Sequence, residues 1–170
     1  MNRYIEIQNQ IKRKADINWL TDSQKNQYNN CKEFLNTYHK IINLYGKEGT
    51  GKTFIGWILY KEHIASYYSS IKQVEEKKNY VIIDNYKSDR RNIRNLRNIL
   101  KFKGIKHAIV ITRRKAEDDI PSFCLSIEPK DLNRFKHNIN IHLDLDVRGL
   151  NNNADNYWEY LKSLGGKNGK

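Results

Sequence analysis

Cysteine is scarce in this 170-residue chain: Cys31 and Cys124 stand far apart, with no C-x-x-C spacing. That argues against a disulfide scaffold or a cysteine zinc module and leaves two separate thiols suited to a reducing compartment. No apolar run approaches the roughly 20 residues of a membrane-spanning helix, and residues 1–6 lack the apolar core of a secretory signal. A cytoplasmic protein with no membrane partner is expected. His39, His63, His107, His137 and His142 show neither H-x₃-H nor H-E-x-x-H spacing. His142, Asp144 and Asp146 read as the wet face of a strand rather than as metal ligands. No internal repeat is present. Acidic residues are also few, 19 against 31 Lys and Arg, for a net charge of +12. Such a balance suits a polyanionic partner. Lys, Asn, Ile and Tyr are all abundant, however, as AT-rich coding also produces, so the placement of the basic residues matters more than their number.

The sharpest positive feature is Gly46-Lys47-Glu48-Gly49-Thr50-Gly51-Lys52-Thr53, which fits G-x-x-x-x-G-K-[ST]. Glycines at these places let backbone N–H groups turn inward around a polyphosphate. Lys52 brings an ammonium to its outer phosphates, Thr53 offers a hydroxyl to Mg²⁺, and the following helix presents its positive end. The context suits the motif: residues 41–45 read as a buried strand, and 54–68 as a helix with one apolar face through Ile55, Ile58, Leu59 and Ile64.

Elsewhere, residues 1–18 read as a peripheral helix with a basic run at Lys12-Arg13-Lys14. Thr21 and Gln24 form a capping box for a helix with Tyr28, Cys31, Phe34, Leu35 and Tyr38 on its apolar face. A short strand is expected over 69–74. The continuous apolar runs 80–84 and 108–112 read as strands buried on both faces of a parallel sheet, joined by a helix over 88–102 with Gly104 beyond its end. Residues 123–127 form a further strand, and Pro129 opens a short helix. Ile139, Ile141, Leu143, Leu145 and Val147 alternate with polar residues, which predicts an edge strand over 139–147. A final helix over 154–164 turns Tyr157, Trp158 and Leu161 inward, and a mobile basic tail follows. The resulting fold is a three-layer α/β/α domain with a mostly parallel sheet. Its core is expected over 21–147, with an N-terminal helical extension over 1–20 and a C-terminal helix and tail over 148–170.

Asp84 ends the apolar run 80–84. A carboxylate there is costly to bury unless a cation or hydrogen bonds compensate it, so it is the expected Mg²⁺ partner of Thr53. Asn85 follows; it can orient a water but cannot take its proton. Thr112 ends the next apolar run and precedes Arg113 and Arg114. A hydroxyl and a guanidinium, Arg114 foremost, are placed there to sense a terminal phosphate.

Residues 46–53, 81–85 and 109–114 resemble the Walker A, Walker B and sensor-1 segments of additional-strand P-loop NTPases, and within that group the AAA+ and STAND ATPases. The resemblance spans roughly 20–147. It implies ATP and Mg²⁺ as ligands, with Lys52, Asp84, Asn85, Thr112 and Arg114 around the reacting phosphate. It also implies further protein subunits or a homo-oligomer. Three departures stand out: Asn85 occupies the place of the catalytic acid, no helical lid domain follows, and no second-sensor Arg is evident. A nucleotide-dependent interaction switch with little hydrolysis is therefore an alternative. A superfamily 3 viral helicase core lacks its Asn, where Arg113 or Arg114 stands. A small-molecule kinase would need a lid, for which Arg134 and Arg148 are the available arginines. The Asn-Lys-x-Asp guanine motif is absent, and Asp146-Val147-Arg148-Gly149 lies too late to be the D-x-x-G of a GTPase.

Arg90, Arg94, Arg97 and Lys101 fall at i, i+4, i+7 and i+11 of the helix over 88–102, opposite Ile93, Leu96 and Leu100. A stripe of four cations without an acid suits DNA or RNA phosphates, or an acidic protein partner.

Overall fold

The two continuous apolar runs become adjacent central strands, as their burial on both faces requires. The computed structural model describes residues 3–117, 119–143 and 154–165. Among these residues five strands, β1 (Ile41–Tyr45), β2 (Ser66–Tyr68), β3 (Tyr80–Ile83), β4 (His107–Thr112) and β5 (Ser122–Cys124), form one sheet in the order β2-β3-β4-β1-β5. Every pairing is parallel. Among the described residues six α-helices accompany them: α1 (Arg3–Lys14), α2 (Asp22–Phe34), α3 (Lys52–Lys61), α4 (Arg90–Phe102), α5 (Pro129–Leu143) and α6 (Tyr157–Gly165).

The pleat divides the core in two. Ile42, Leu44, Ile82, Ile109 and Ile111 pack with α1, α2, α3, α5 and α6, while Ile41, Val81, Ile83, Ala108 and Val110 pack against Ile93, Leu96 and Leu100 of α4. The fold is α/β with three layers, α4 on one side and the remaining helices on the other. Ile7 and Ile11 bury α1 in the same apolar cluster as α3. Among the described residues no helix is long and apolar enough to cross a membrane.

Four sequence expectations need correction. The helix after the glycine-rich loop stops at Lys61 rather than running to Tyr68. His63 turns left-handed (φ 57°), and the N–H groups of Ile64 and Ala65 both bond Leu59 O. The freed chain enters β2, so Ile64 kept helical spacing without being helical. The strand expected over 69–74 is instead a 3-10 turn, Ile71–Gln73, begun by Ser70, whose side chain accepts from Lys72 N.

The alternating segment from Ile139 is not a strand. Through Leu143 it is the end of α5, which buries Phe135, Ile139 and Leu143 at i, i+4 and i+8 and leaves Ile141 59% exposed. A period of two and a period near four share every second apolar position, and the packing surface decided between them. Residues 144–147 lie outside the described residues, as do Asp144, Asp146, Arg148 and the tail beyond Gly165. His142 stacks on Trp19 with ring centroids 4.6 Å apart, so the strand face assigned to it does not exist.

Two side-chain placements also change. α2 ends at Phe34, and Tyr38 is 87% exposed beyond it. In α6, Tyr157, Tyr160, Leu161 and Leu164 are buried, whereas Trp158 is 38% exposed.

Candidate functional site

Because all five strands run the same way, the segments that follow β1, β3 and β4 meet at one edge of the sheet. The glycine-rich loop leaves β1, Asp84 follows β3, and Thr112 ends β4; open α/β sheets place ligands at this edge. The cleft there has a volume of about 690 Å³.

The loop needs its glycines for stated reasons. A Cβ at Gly46 would lie 2.3 Å from Leu125 O, and Gly51, the residue before α3, has φ +86°. Lys52 is buried, and its Nζ donates to Gly46 O at 2.8 Å and Lys47 O at 2.7 Å. The ammonium is thus held over the loop by the loop's own carbonyls. Burial lowers the Lys52 pKa from its ordinary value, and the nearby Asp84 and Glu48 carboxylates partly oppose that shift. Thr50 Oγ1 donates to Lys47 O at 3.0 Å and tightens the turn.

Thr53 Oγ1 donates to Asp84 Oδ2 at 2.7 Å, which joins the start of α3 to the end of β3. Asp84 is only 4% exposed, yet each oxygen is bonded: Tyr67 Oη and Thr53 donate to Oδ2, and Asn85 N donates to Oδ1. Asn85 itself adopts φ 54° and lines the cleft. Its left-handed backbone suits an Asn, which tolerates that region better than most residues.

Thr112 lines the cleft at the end of β4. It is buried, its Oγ1 accepts from Asn43 Nδ2 at 2.6 Å, and it donates to Arg114 O at 2.7 Å. Asn43 also accepts from Ala116 N through Oδ1 at 2.8 Å. The Thr112 hydroxyl therefore shapes the loop after β4. Arg113, next to the Arg114 favoured from sequence, is the guanidinium that meets the phosphate loop, through an ion pair with Glu48. Arg114 also lines the cleft, its carbonyl accepting from Thr112 and Ser88.

Sequence reasoning missed Tyr67, Asn43, the Glu48–Arg113 pair and the docking of α6. Tyr157 N donates to Gly49 O at 3.1 Å, which sets the start of α6 against the loop. None of these relations has a sequence signal, since the partners lie between 17 and 108 positions apart: Tyr67 from Asp84, Asn43 from Thr112, Glu48 from Arg113 and Tyr157 from Gly49. Arg134, one of the two arginines considered for a lid, sits 3.9 Å from Asp22 at the start of α2 and does not line the cleft.

On α4, Arg90, Arg94, Arg97 and Lys101 are all exposed, while Ile93, Leu96 and Leu100 are buried. Asp89 caps the helix by accepting from Asn92 N at 2.9 Å. Among the described residues no three His, Cys, Asp or Glu side chains converge as a metal site. No protein-family model matches the chain, and no match was found among curated proteins.

Proposed function

We propose that this chain is a P-loop nucleotide-binding module that takes Mg·ATP in the cleft at the C-terminal edge of its sheet. The carrying observation is the Thr53–Asp84 contact of 2.7 Å beside the buried Lys52 ammonium. It brings together one hydroxyl and one carboxylate suited to a hydrated Mg²⁺, and one cation suited to phosphate oxygens. The donor set is oxygen-only, as a hard divalent cation requires, and the glycine loop leaves backbone room for a polyphosphate. When bound, Mg²⁺ neutralises phosphate charge; Thr53 and Asp84 would hold it. The position of β4 between the loop strand β1 and the Asp84 strand β3 supports the additional-strand class.

Turnover by the isolated chain is slow in this reading, and the nucleotide acts chiefly as a switch. Asn85 carries no base, and the other described carboxylates of the cleft are engaged: Glu48 with Arg113, Asp89 with Asn92, and Glu117 with Arg90 N. Phosphoryl transfer rests mainly on positioning and charge, so a partner that supplies a missing group could accelerate it. The exposed basic face of α4 supports a nucleic acid in that role. The test is turnover of radiolabelled ATP by the purified chain, alone and with DNA or RNA, alongside calorimetry of Mg·ATP. Binding with slow turnover that nucleic acid raises is the expected result. Absence of binding would overturn the reading.

A further inference from the structure

The cleft is larger than a triphosphate chain needs, and its outer wall is aromatic. Its volume of about 690 Å³ lies in the range of whole small-molecule ligands. Tyr4 of α1 and Trp158 of α6 face each other there, nearly parallel (15°), with ring centroids 6.4 Å apart. A flat ring in contact with both would need about 7 Å, twice an ordinary carbon–carbon contact. The two rings would have to part to that separation to admit one between them. Trp158 is 38% exposed, so part of its ring is reachable from the solvent side of the cleft. It also borders the phosphate loop: its Cβ would lie 3.0 Å from a Cβ built on Gly49. Gln8, whose Nε2 donates to Tyr4 Oη at 2.7 Å, brings an amide to the same wall.

Resting on the nucleotide-binding reading above, we propose that Tyr4 and Trp158 form a slot that stacks the nucleobase, with the Gln8 amide at its edge. The two ends of the chain thereby read the base while the glycine loop holds the phosphates. Stacking is tolerant of ring identity, so the slot selects for a heteroaromatic base over a bare polyphosphate.

The experiment compares dissociation constants of Mg·ATP and of magnesium with inorganic triphosphate, measured by calorimetry on the full chain. Wild type should prefer ATP. Trp158→Leu should weaken ATP about 5- to 100-fold and leave triphosphate unchanged, whereas Trp158→Phe should retain most of the preference. Tyr4→Leu should act in the same direction. Equal losses for both ligands in Trp158→Leu would mean that Trp158 only seats α6 on the loop, and the slot is then overturned. A wild type that binds triphosphate as tightly as ATP overturns the slot and leaves the phosphate site standing. A wild type that binds neither overturns both.

Discussion

Tyr67 Oη donates to Asp84 Oδ2 at 2.5 Å, on the same oxygen that accepts from Thr53. A strand-end carboxylate thus has its orientation set from β2 on one side and α3 on the other. Burial, and then the charge and hydrogen bond of Asp84, raise the Tyr67 pKa well above that of a free phenol, so the donor keeps its proton throughout the physiological range. The carboxylate is held in place before any ligand arrives, which is what a preorganised metal ligand needs.

Tyr67→Phe removes one charge-assisted hydrogen bond from a buried acceptor, so it should cost about 1–3 kcal/mol of stability. Urea unfolding checks the magnitude. A double-mutant cycle with Asp84→Asn should show strong non-additivity, because that variant takes away the charge that strengthens the same hydrogen bond. Simple additivity would mean that the two groups are not coupled.

Asp84→Asn should weaken Mg²⁺-dependent nucleotide binding by about tenfold or more, about 1.4 kcal/mol, and barely alter binding measured with chelator present. Calorimetry in magnesium and in EDTA makes the comparison. Equal losses under both conditions would reduce Asp84 to a structural acceptor.

Lys52→Ala should abolish nucleotide binding, since the phosphate loses its main cation. The pH dependence follows from the lowered Lys52 pKa. Below that pKa Lys52 is charged in the free protein and affinity is flat. As pH rises through it, below the ordinary 10.5, the free protein loses the proton and affinity falls. Over the same interval the unfolded chain binds more protons than the folded one, so the Lys52 contribution to stability becomes more favourable as pH rises. Titrating affinity from pH 7 to 10.5 reads the first effect. Lys52→Arg, which stays charged, should flatten any residual binding profile.

Arg94→Glu with Arg97→Glu should lower DNA or RNA affinity and leave ATP affinity unchanged. Each lost phosphate contact should reduce the salt slope by about 0.7 to 0.9. The fold should survive, because Ile93, Leu96 and Leu100 still seat α4 on the sheet. Filter binding across a salt series measures both quantities; an unchanged slope would assign the stripe to a protein partner.

One thiol should react in the native state. Cys124 is exposed at the end of β5, whereas Cys31 is fully buried and its pKa is pushed up to about 12 by that burial. Only the thiolate attacks disulfide reagents. Ellman titration should count a single fast thiol in the folded chain and two in denaturant; two fast thiols without denaturant would contradict the packing of α2.

Much of the site's polar framework was legible because its signals are local. The run at 80–84 announced both a buried strand and a carboxylate at its end, and Thr21 with Gln24 announced the start of α2, where Thr21 N does donate to Gln24 Oε1 at 3.0 Å. Where local spacing was ambiguous, reading failed. Phe135, Ile139 and Leu143 satisfy a helix, while Ile139, Ile141 and Leu143 satisfy a strand, and only the exposure of Ile141 separates the two. Arg113 and Arg114 both line the cleft, and a strand end by itself does not reveal which of two adjacent guanidinium groups pairs with Glu48.

By itself the sequence determined the glycine-rich turn, the buried parallel strands and the amphipathic face of α4, since each depends on spacing within a dozen residues. The tertiary structure alone decided that Tyr67 and Thr53 share one oxygen of Asp84, that Asn43 occupies the Thr112 hydroxyl, and that Tyr4 and Trp158 meet across the cleft from opposite ends of the chain. Those relations depend on strand order and on which helix covers which face. Long-range packing sets both, and no periodicity along the chain encodes it.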